Sequence, residues 1–501
     1  MIVGEGTKLK LADVAAHVQK LWEGVAQAAR EGTAAHEVET HLFRSLMQLG
    51  WELLQAFFQQ QGDGDLGESF TLPNGETVQR FADSYERRYV SVFGEFVLSR
   101  RVYGMREKQA IDFVPFDQRL SLPESEFSYL LQEWDQLLGI EHAYGKVLDV
   151  IQTILGLKQS VDSLERMNRK MAEAVEPFQE SLPAPKSQEE GEFLVATIDN
   201  KGIPMVRPAD ALPAGAHRKK GDKANKKQMA ALGCVYSVDP HVRTPEQLVA
   251  ILFRDPDRPQ TQPPRPKQRR YWAALTREEQ GQTLRAQPEV FQKMAADVTL
   301  RRRPRQVLLH LSDGQRSLET DRHLYLPEDQ RTIDILDLMH VTPRLWQAAH
   351  LFHREGSQQA EQFVRKRLLK VLQGQAGRVL GGLRQMATKH KLRGTPKKRL
   401  RSICDFLEAN LHRMQYNEYL AAGYPIATGV IEGACRHVIK DRMERAGMRW
   451  KVPGAQAMLQ LRTVAANDHW RQFQDFRIRH ETSRLYPHPQ ALKNVLWPIS
   501  A

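Results

Sequence analysis

Only three cysteines occur in 501 residues, and Cys234, Cys404 and Cys435 lie far apart with no Cys-x-x-Cys pair. That spacing supports neither a disulfide framework nor a thiolate zinc site, and it fits a reducing compartment. No run of about eighteen apolar residues exists, so no membrane-spanning helix is expected. The opening stretch MIVGEGTKLKLADVAAHVQKLWEG lacks the apolar core of a signal peptide, and a cytoplasmic location follows. No internal repeat of about 20 to 50 residues is evident. Acidic residues are in deficit. Lys plus Arg number 72 against 60 Asp plus Glu, giving a formal charge of +12 and a pI near 9.5. A chain this basic is suited to an acidic partner, and nucleic acid is the first candidate.

The length suggests about three domains of ordinary size. Residues 10 to 60 carry an apolar stripe at helical spacing (Leu42, Met47, Leu49, Leu53, Leu54, Phe57, Phe58). YVSVFGEFVLSRRVYG alternates around Phe93-Gly94 and predicts a β-hairpin, so 1–127 reads as a helical region with a hairpin. Within 128–178, KVLDVIQTILG and VDSLERMNRKMAE predict helix, turn, helix, with Gly156 ending the first helix and Ser160 capping the second. This is either a DNA-reading helix-turn-helix presenting Ser163, Arg166, Arg169 and Lys170, or an ordinary helical hairpin. A Pro, Glu and Ser-rich linker at 176–190 marks a boundary.

Beyond it, a strand ends at Asp199, a second is expected around Pro204 to Arg207, and MAALGCVYSVDP forms a third. Together they make a meander around the basic loop HRKKGDKANKK, which holds Lys219 and Lys220. The stretch RDPDRPQTQPPRPKQRR reads as exposed, with helices to Arg305 and then the strand QVLLHLSD. These segments make 190–344 the first part of a core. A basic helical block at 345–425 reads as an insertion, and 426–501 as the remainder of the core.

Two apolar strands thus end on aspartates, Asp199 and Asp313, and Glu432 opens a late basic helix. Carboxylates ligate hard divalent cations, and surrounding Lys and Arg attract a polyanion, so the pattern suits phosphodiester chemistry. Ligands of open sheets with helical cover gather at the ends of the strands. Taken singly, Asp199 and Asp313 could equally serve as turn residues. Strand, meander, strand and a late helical acid together suggest a ribonuclease-H-like sheet. Glu432, Arg436 and Lys440 are spaced by four and should share a helix face. Arg442, Arg445 and Arg449 would extend the basic track along DNA.

The segments YPIATGVIEGACRHVIKDRMERAGMRW, TIDNKGIPM, Ser312-Asp313-Gly314 and Asp337-Leu338-Met339-His340 resemble bacterial insertion-sequence transposases of the Kra group, relatives of eukaryotic Mutator transposases. The resemblance runs from about residue 85 onward and is most specific around Glu432. It implies a DDE transposase with an α/β fold: a ribonuclease-H-like catalytic core carrying an all-helical insertion, preceded by a mainly helical DNA-binding region. It implies Asp199, Asp313 and Glu432 as the acids holding Mg2+ or Mn2+, two ions in all. Asp337 and His340 occupy an auxiliary motif, and Asp337 competes with Asp313 as second acid. Strand position favours Asp313, because Asp337 falls in an amphipathic helical pattern, and His340 has an alternative as a half-buried helix histidine. Expected partners are double-stranded DNA, both element ends and target, and further copies of the chain in a dimer or higher assembly at the nucleoid. Cutting at terminal inverted repeats and joining to target DNA would follow. A structure-specific nuclease or resolvase on the same core, or an inactive DNA-binding regulator, remains as an alternative. Relatives often carry paired cysteines after the hairpin; VYGMREKQAIDFVPFD has none, so a zinc-bound hairpin is not expected.

Overall fold

The computed structural model describes residues 11–106, 110–206, 227–260, 262–493, 495 and 497. The chain forms two compact units, Met1–Phe178 with Arg471–Ala501, and Gln179–Trp470. The junction between Phe178 and Gln179 falls inside a helix, Val175–Ser181, although a linker was expected to begin at 176.

The first unit opens with α1 (Leu11–Glu31) and α2 (Ala35–Gln60). A small antiparallel sheet follows from β1 (Ser69–Thr71), β2 (Thr77–Arg80) and β5 (Tyr103–Gly104), interrupted by the hairpin β3 (Tyr85–Ser91) and β4 (Gly94–Arg100). Gly94, at φ +146, permits that hairpin because a Cβ would meet the Trp51 indole at 2.8 Å. Short α3 (Pro115–Leu120) precedes α4 (Tyr129–Gly139), α5 (Tyr144–Leu155), α6 (Val161–Ala172) and α7 (Val175–Ser181). The expected caps are present: Gly156 ends α5 in the left-handed region, and the Ser160 hydroxyl accepts from the Ser163 N–H at α6. Val90, Phe127, Leu131, Val147, Ile151, Leu164 and Met167 pack into one core there. Ser163 is buried rather than outward-facing, because its hydroxyl turns back to Ser160 at 2.8 Å.

The second unit is mixed α/β. Its five-stranded sheet has the order β12-β11-β6-β7-β8. β6 (Phe193–Pro204), β7 (Lys227–Val238) and β8 (Lys267–Leu275) form an antiparallel meander, while β11 (Leu308–Ser312) runs parallel to both β6 and β12 (Thr332–Leu336). Two expectations are corrected here. β6 does not end at Asp199; it continues to Pro204, because Asn200 to Pro204 pair with Ala231 to Lys227. The third meander strand is β8, drawn partly from the stretch read as an exposed connection, and not a separate strand near Pro204.

Between these strands lie α8 (Pro245–Leu252), the hairpin β9 (Arg277–Glu279) and β10 (Gln282–Leu284), α9 (Ala286–Arg301) and α10 (Arg316–Tyr325). Leu194, Ala196 and Ile198 of β6, with Ala231 and Val235 of β7, pack on Val290, Phe291, Met294 and Val298 of α9. At Gly233 a Cβ would sit 2.3 Å from Met294 Sδ, so only glycine lets α9 approach this closely. By strand alternation, Val195, Thr197 and Asp199 face the opposite side. After β12 the chain is helical: α11 (Leu338–Ala349), α12 (Gln358–Leu372), α13 (Ala376–Lys389), α14 (Gly394–Ala409) and α15 (Tyr416–Ala421), then α16 (Gly429–Ala434). A π-helical turn, Cys435–Lys440, leads through α17 (Asp441–Met443) to α18 (Val452–Ala466). α19 (Trp470–Leu485) returns to the first unit. Among the described residues, no helix is long and apolar enough to cross a membrane.

Candidate metal centre

Asp313 and Asp337 follow the ends of the parallel strands β11 and β12, and Asp199 lies within the neighbouring β6. Thr197 of β6 pairs with Leu311 of β11, and Leu311 pairs with Ile335 of β12. Asp199, Asp313 and Asp337 each lie two residues past these paired positions, but the β11 pairing with β6 stops at Leu311 and that with β12 at Ser312, so the ladder does not itself fix Asp313. The Asp337 N–H donates to Ser312 O at 2.9 Å, which keeps the last two chains together where β11 ends.

Asp337 is not inside a helix, as its sequence pattern suggested. It follows β12 directly and caps α11, its Oδ1 accepting from the Met339 N–H at 2.8 Å. The criterion that favours Asp313, a place just past a buried strand, is therefore met by Asp337 as well. The Thr428 hydroxyl donates to Asp337 Oδ2, and the Leu338 N–H donates to Ile426 O at 3.0 Å. These two bonds dock the segment before α16 against the end of β12. α16 then carries Glu432 to the same place. His340 Nε2 lies 3.9 Å from Asp337 Oδ2 and 3.7 Å from Glu432 Oε1. One ligand atom from each of Asp337, His340 and Glu432 falls within 4.8 Å of the others.

Burial pushes the Asp337 carboxyl above its usual range, against the opposing effects of the Thr428 hydroxyl, the Met339 N–H and His340. Burial also raises Glu432, as do the negative charges of Asp337 and Asp199, while His340 and Lys201 pull it down. Asp199 belongs to the same neighbourhood: Cys435, buried one turn after Glu432, has its thiol pushed up by burial and by contact with Asp199. The Asp199 oxygens are engaged by the Asn200 N–H at 2.7 Å and by Lys201 Nζ at 2.7 Å.

Asp313 stands beside this group without joining its close set. Its Oδ1 accepts from the Gln315 N–H at 2.8 Å in a turn where Gly314 adopts φ +85. Arg344, stacked over the Phe406 ring at 3.3 Å and donating to His340 O at 2.5 Å, provides positive charge toward Asp313. Buried Arg413 supports the strand end from beneath, donating to Ser312 Oγ at 3.1 Å.

The residues expected to touch DNA divide. Arg436, Lys440, Arg445 and Arg449 are exposed on the second unit. Arg442 is not: it is 1% exposed, donates to Met448 Sδ at 2.9 Å and stacks on Trp450 at 4.8 Å, so it is a core residue. The π-helical turn also breaks the expected row of Glu432, Arg436 and Lys440, because a wider turn no longer stacks residues four apart. On the first unit Arg166 and Arg169 are exposed, while Lys170 is paired with Glu173 at 2.9 Å and Glu124 at 3.4 Å. Lys219 and Lys220 lie outside the described residues. Lys201, Thr428 and Cys435 were not singled out from the sequence. For Lys201 a signal existed, two residues after an acid in a strand, but it required β6 to continue.

No protein-family profile and no curated protein matches this chain. Among solved structures the chain is similar to the Drosophila P element transposase strand transfer complex, at 9% identity over 70% of this chain and 81% of that one. The TM-score is 0.24, too low for an argument about fold or chemistry.

Proposed function

We propose that the second unit is a ribonuclease-H-like catalytic core and that the protein is a transposase, cutting DNA at the ends of a bacterial insertion sequence and joining the freed ends to target DNA. The observation that supports this reading is the close set of Asp337, His340 and Glu432, whose ligand atoms fall within 4.8 Å of one another, with the charge of Asp199 acting on Glu432 beside it. Oxygen and imidazole donors within 4.8 Å of one another in a partly buried group fit a divalent cation, Mg2+ or Mn2+. Asp199, Asp337 and Glu432 would hold it, with His340 beside them and Asp313, outside the close set, as the competing second acid.

A cation held there supplies charge against the phosphodiester. The chain's own residues do the positioning. Thr428 fixes the Asp337 carboxylate, and Asp337 caps the helix that aims His340 toward Glu432. Arg436, Lys440, Arg445 and Arg449 hold the DNA backbone by charge. Such positioning and charge neutralisation account for most of the barrier lowering in phosphoryl transfer. Hydrolysis would expose a 3′-hydroxyl at each end, and that hydroxyl would then attack a target phosphodiester. Pairing two ends before joining calls for an assembly of more than one copy.

The test uses a duplex carrying the element's terminal repeat. Asp199→Asn and Glu432→Gln should each lower Mn2+-dependent cleavage by at least about a hundredfold while end binding persists. Unchanged cleavage in either variant refutes the assignment, and cutting without joining by the parent would point to a nuclease.

A further inference from the structure

Because β6 runs past Asp199, it brings a cation of its own to the centre. Residues two apart on a strand share a face, so Lys201 lies on the same side as Asp199. Its Nζ is 2.7 Å from Asp199 Oδ2, with the two side chains only 30% and 17% exposed. The other oxygen, Oδ1, accepts from the Asn200 N–H. Asn200 is itself tied through its side-chain amide to Gln287 of α9 at 3.0 Å, which fixes the strand at this point. The ammonium thus occupies one oxygen of an acid assigned to the cation, in a place too enclosed for solvent to screen it fully.

An oxygen engaged by an ammonium at this distance is a poorer ligand for a second cation. Resting on the metal-dependent reading above, we infer that Lys201 is a resident counter-ion of Asp199 that a divalent cation has to displace. The contact holds metal affinity down while DNA is absent. A DNA phosphate offers the displaced ammonium a new anion, so metal and DNA should favour each other's binding.

Calorimetric titration of the full chain with Mn2+, without DNA, tests this directly. Lys201→Met should bind Mn2+ about tenfold more tightly than the parent, about 1.4 kcal/mol. Lys201→Arg, which keeps the charge, should bind no more tightly than the parent. Lys227→Met removes a charge engaged instead with Glu444 and should leave the affinity within about twofold, separating local contact from general field. Lys201→Gln gives the same comparison should methionine disturb folding. Equal or weaker Mn2+ binding by folded Lys201→Met or Lys201→Gln overturns the counter-ion role, as does equal tightening by Lys227→Met. Asp199→Asn distinguishes the two levels: if it binds Mn2+ like the parent, the metal assignment fails and this inference with it. If it loses binding while Lys201→Met matches the parent, the counter-ion role alone fails.

Discussion

Asp135 shows how one residue can set a pH limit far from any chemistry. It is fully buried on α4, where Oδ2 accepts from Gln159 Nε2 at 2.7 Å and Oδ1 finds no hydrogen-bond partner among the described residues. Burial pushes its carboxyl up to about 7, with Gln159 pulling the other way. The sign follows from proton counting: between about 4 and 7 the folded state keeps a proton that the unfolded state has lost, so stability falls as pH rises through that window. Below it, both states are protonated and nothing is lost. Asp135→Asn should therefore stabilise the first unit at pH 8 by as much as about 4 kcal/mol, the span from about 4 to 7 at 1.36 kcal/mol per pH unit, and change little at pH 4. Urea denaturation at the two pH values checks it; equal gains at both would mean that charge is not the cause. Asp199 and Glu432 stood out in the sequence only as members of a pattern, since an aspartate closing an apolar run or a glutamate at a helix start is by itself common. Asp135 did not, since nothing in YLLQEWDQLLG distinguishes a buried acid from an exposed one.

Elements were legible where periodicity was undisturbed. The helices α1, α2, α5 and α6, the β3–β4 hairpin and the β11 strand follow their apolar patterns. β6 was cut short because Asp199, Asn200 and Lys201 interrupt its apolar run, although backbone pairing with β7 does not depend on side-chain polarity. β8 was hidden because KQRRYWAAL follows a proline-rich stretch and is one third charged, its burial beginning only at Tyr271. The π-helical turn after Glu432 has no sequence signature of this kind. It leaves carbonyls to satisfy, and Arg462 of α18 donates Nε to Val438 O at 2.8 Å and Nη2 to His437 O. Arg462 is 5% exposed, so methionine there would leave buried acceptors unpaired. Arg462→Met should cost about 2 to 4 kcal/mol by denaturant melt and lower cleavage along with it, since α16 and the π turn are continuous. A variant with parental stability would show that the turn does not need this support.

At the scale of the whole molecule, the charge of +12 favours a polyanionic partner in the general sense only; which cations would meet a phosphate backbone depends on where the fold puts them. Sequence counts Arg436, Arg442 and Arg445 alike, yet Arg442 is enclosed by Met448 and Trp450 while Arg436 is 75% exposed. Each phosphate contact releases counterions, so its loss flattens the dependence of log K on log salt by about 0.9. Arg436→Ala should therefore weaken duplex binding and reduce the slope by about one unit, measured by fluorescence anisotropy across a salt series. Arg442→Met should leave the slope at the parental value and lower the unfolding midpoint instead, because it removes packing rather than a contact. The reverse pattern, a flatter slope for Arg442→Met and none for Arg436→Ala, would mean that DNA meets this unit on another face. In that case the basic segment after Glu432 would not be the track that leads the strand to the acids.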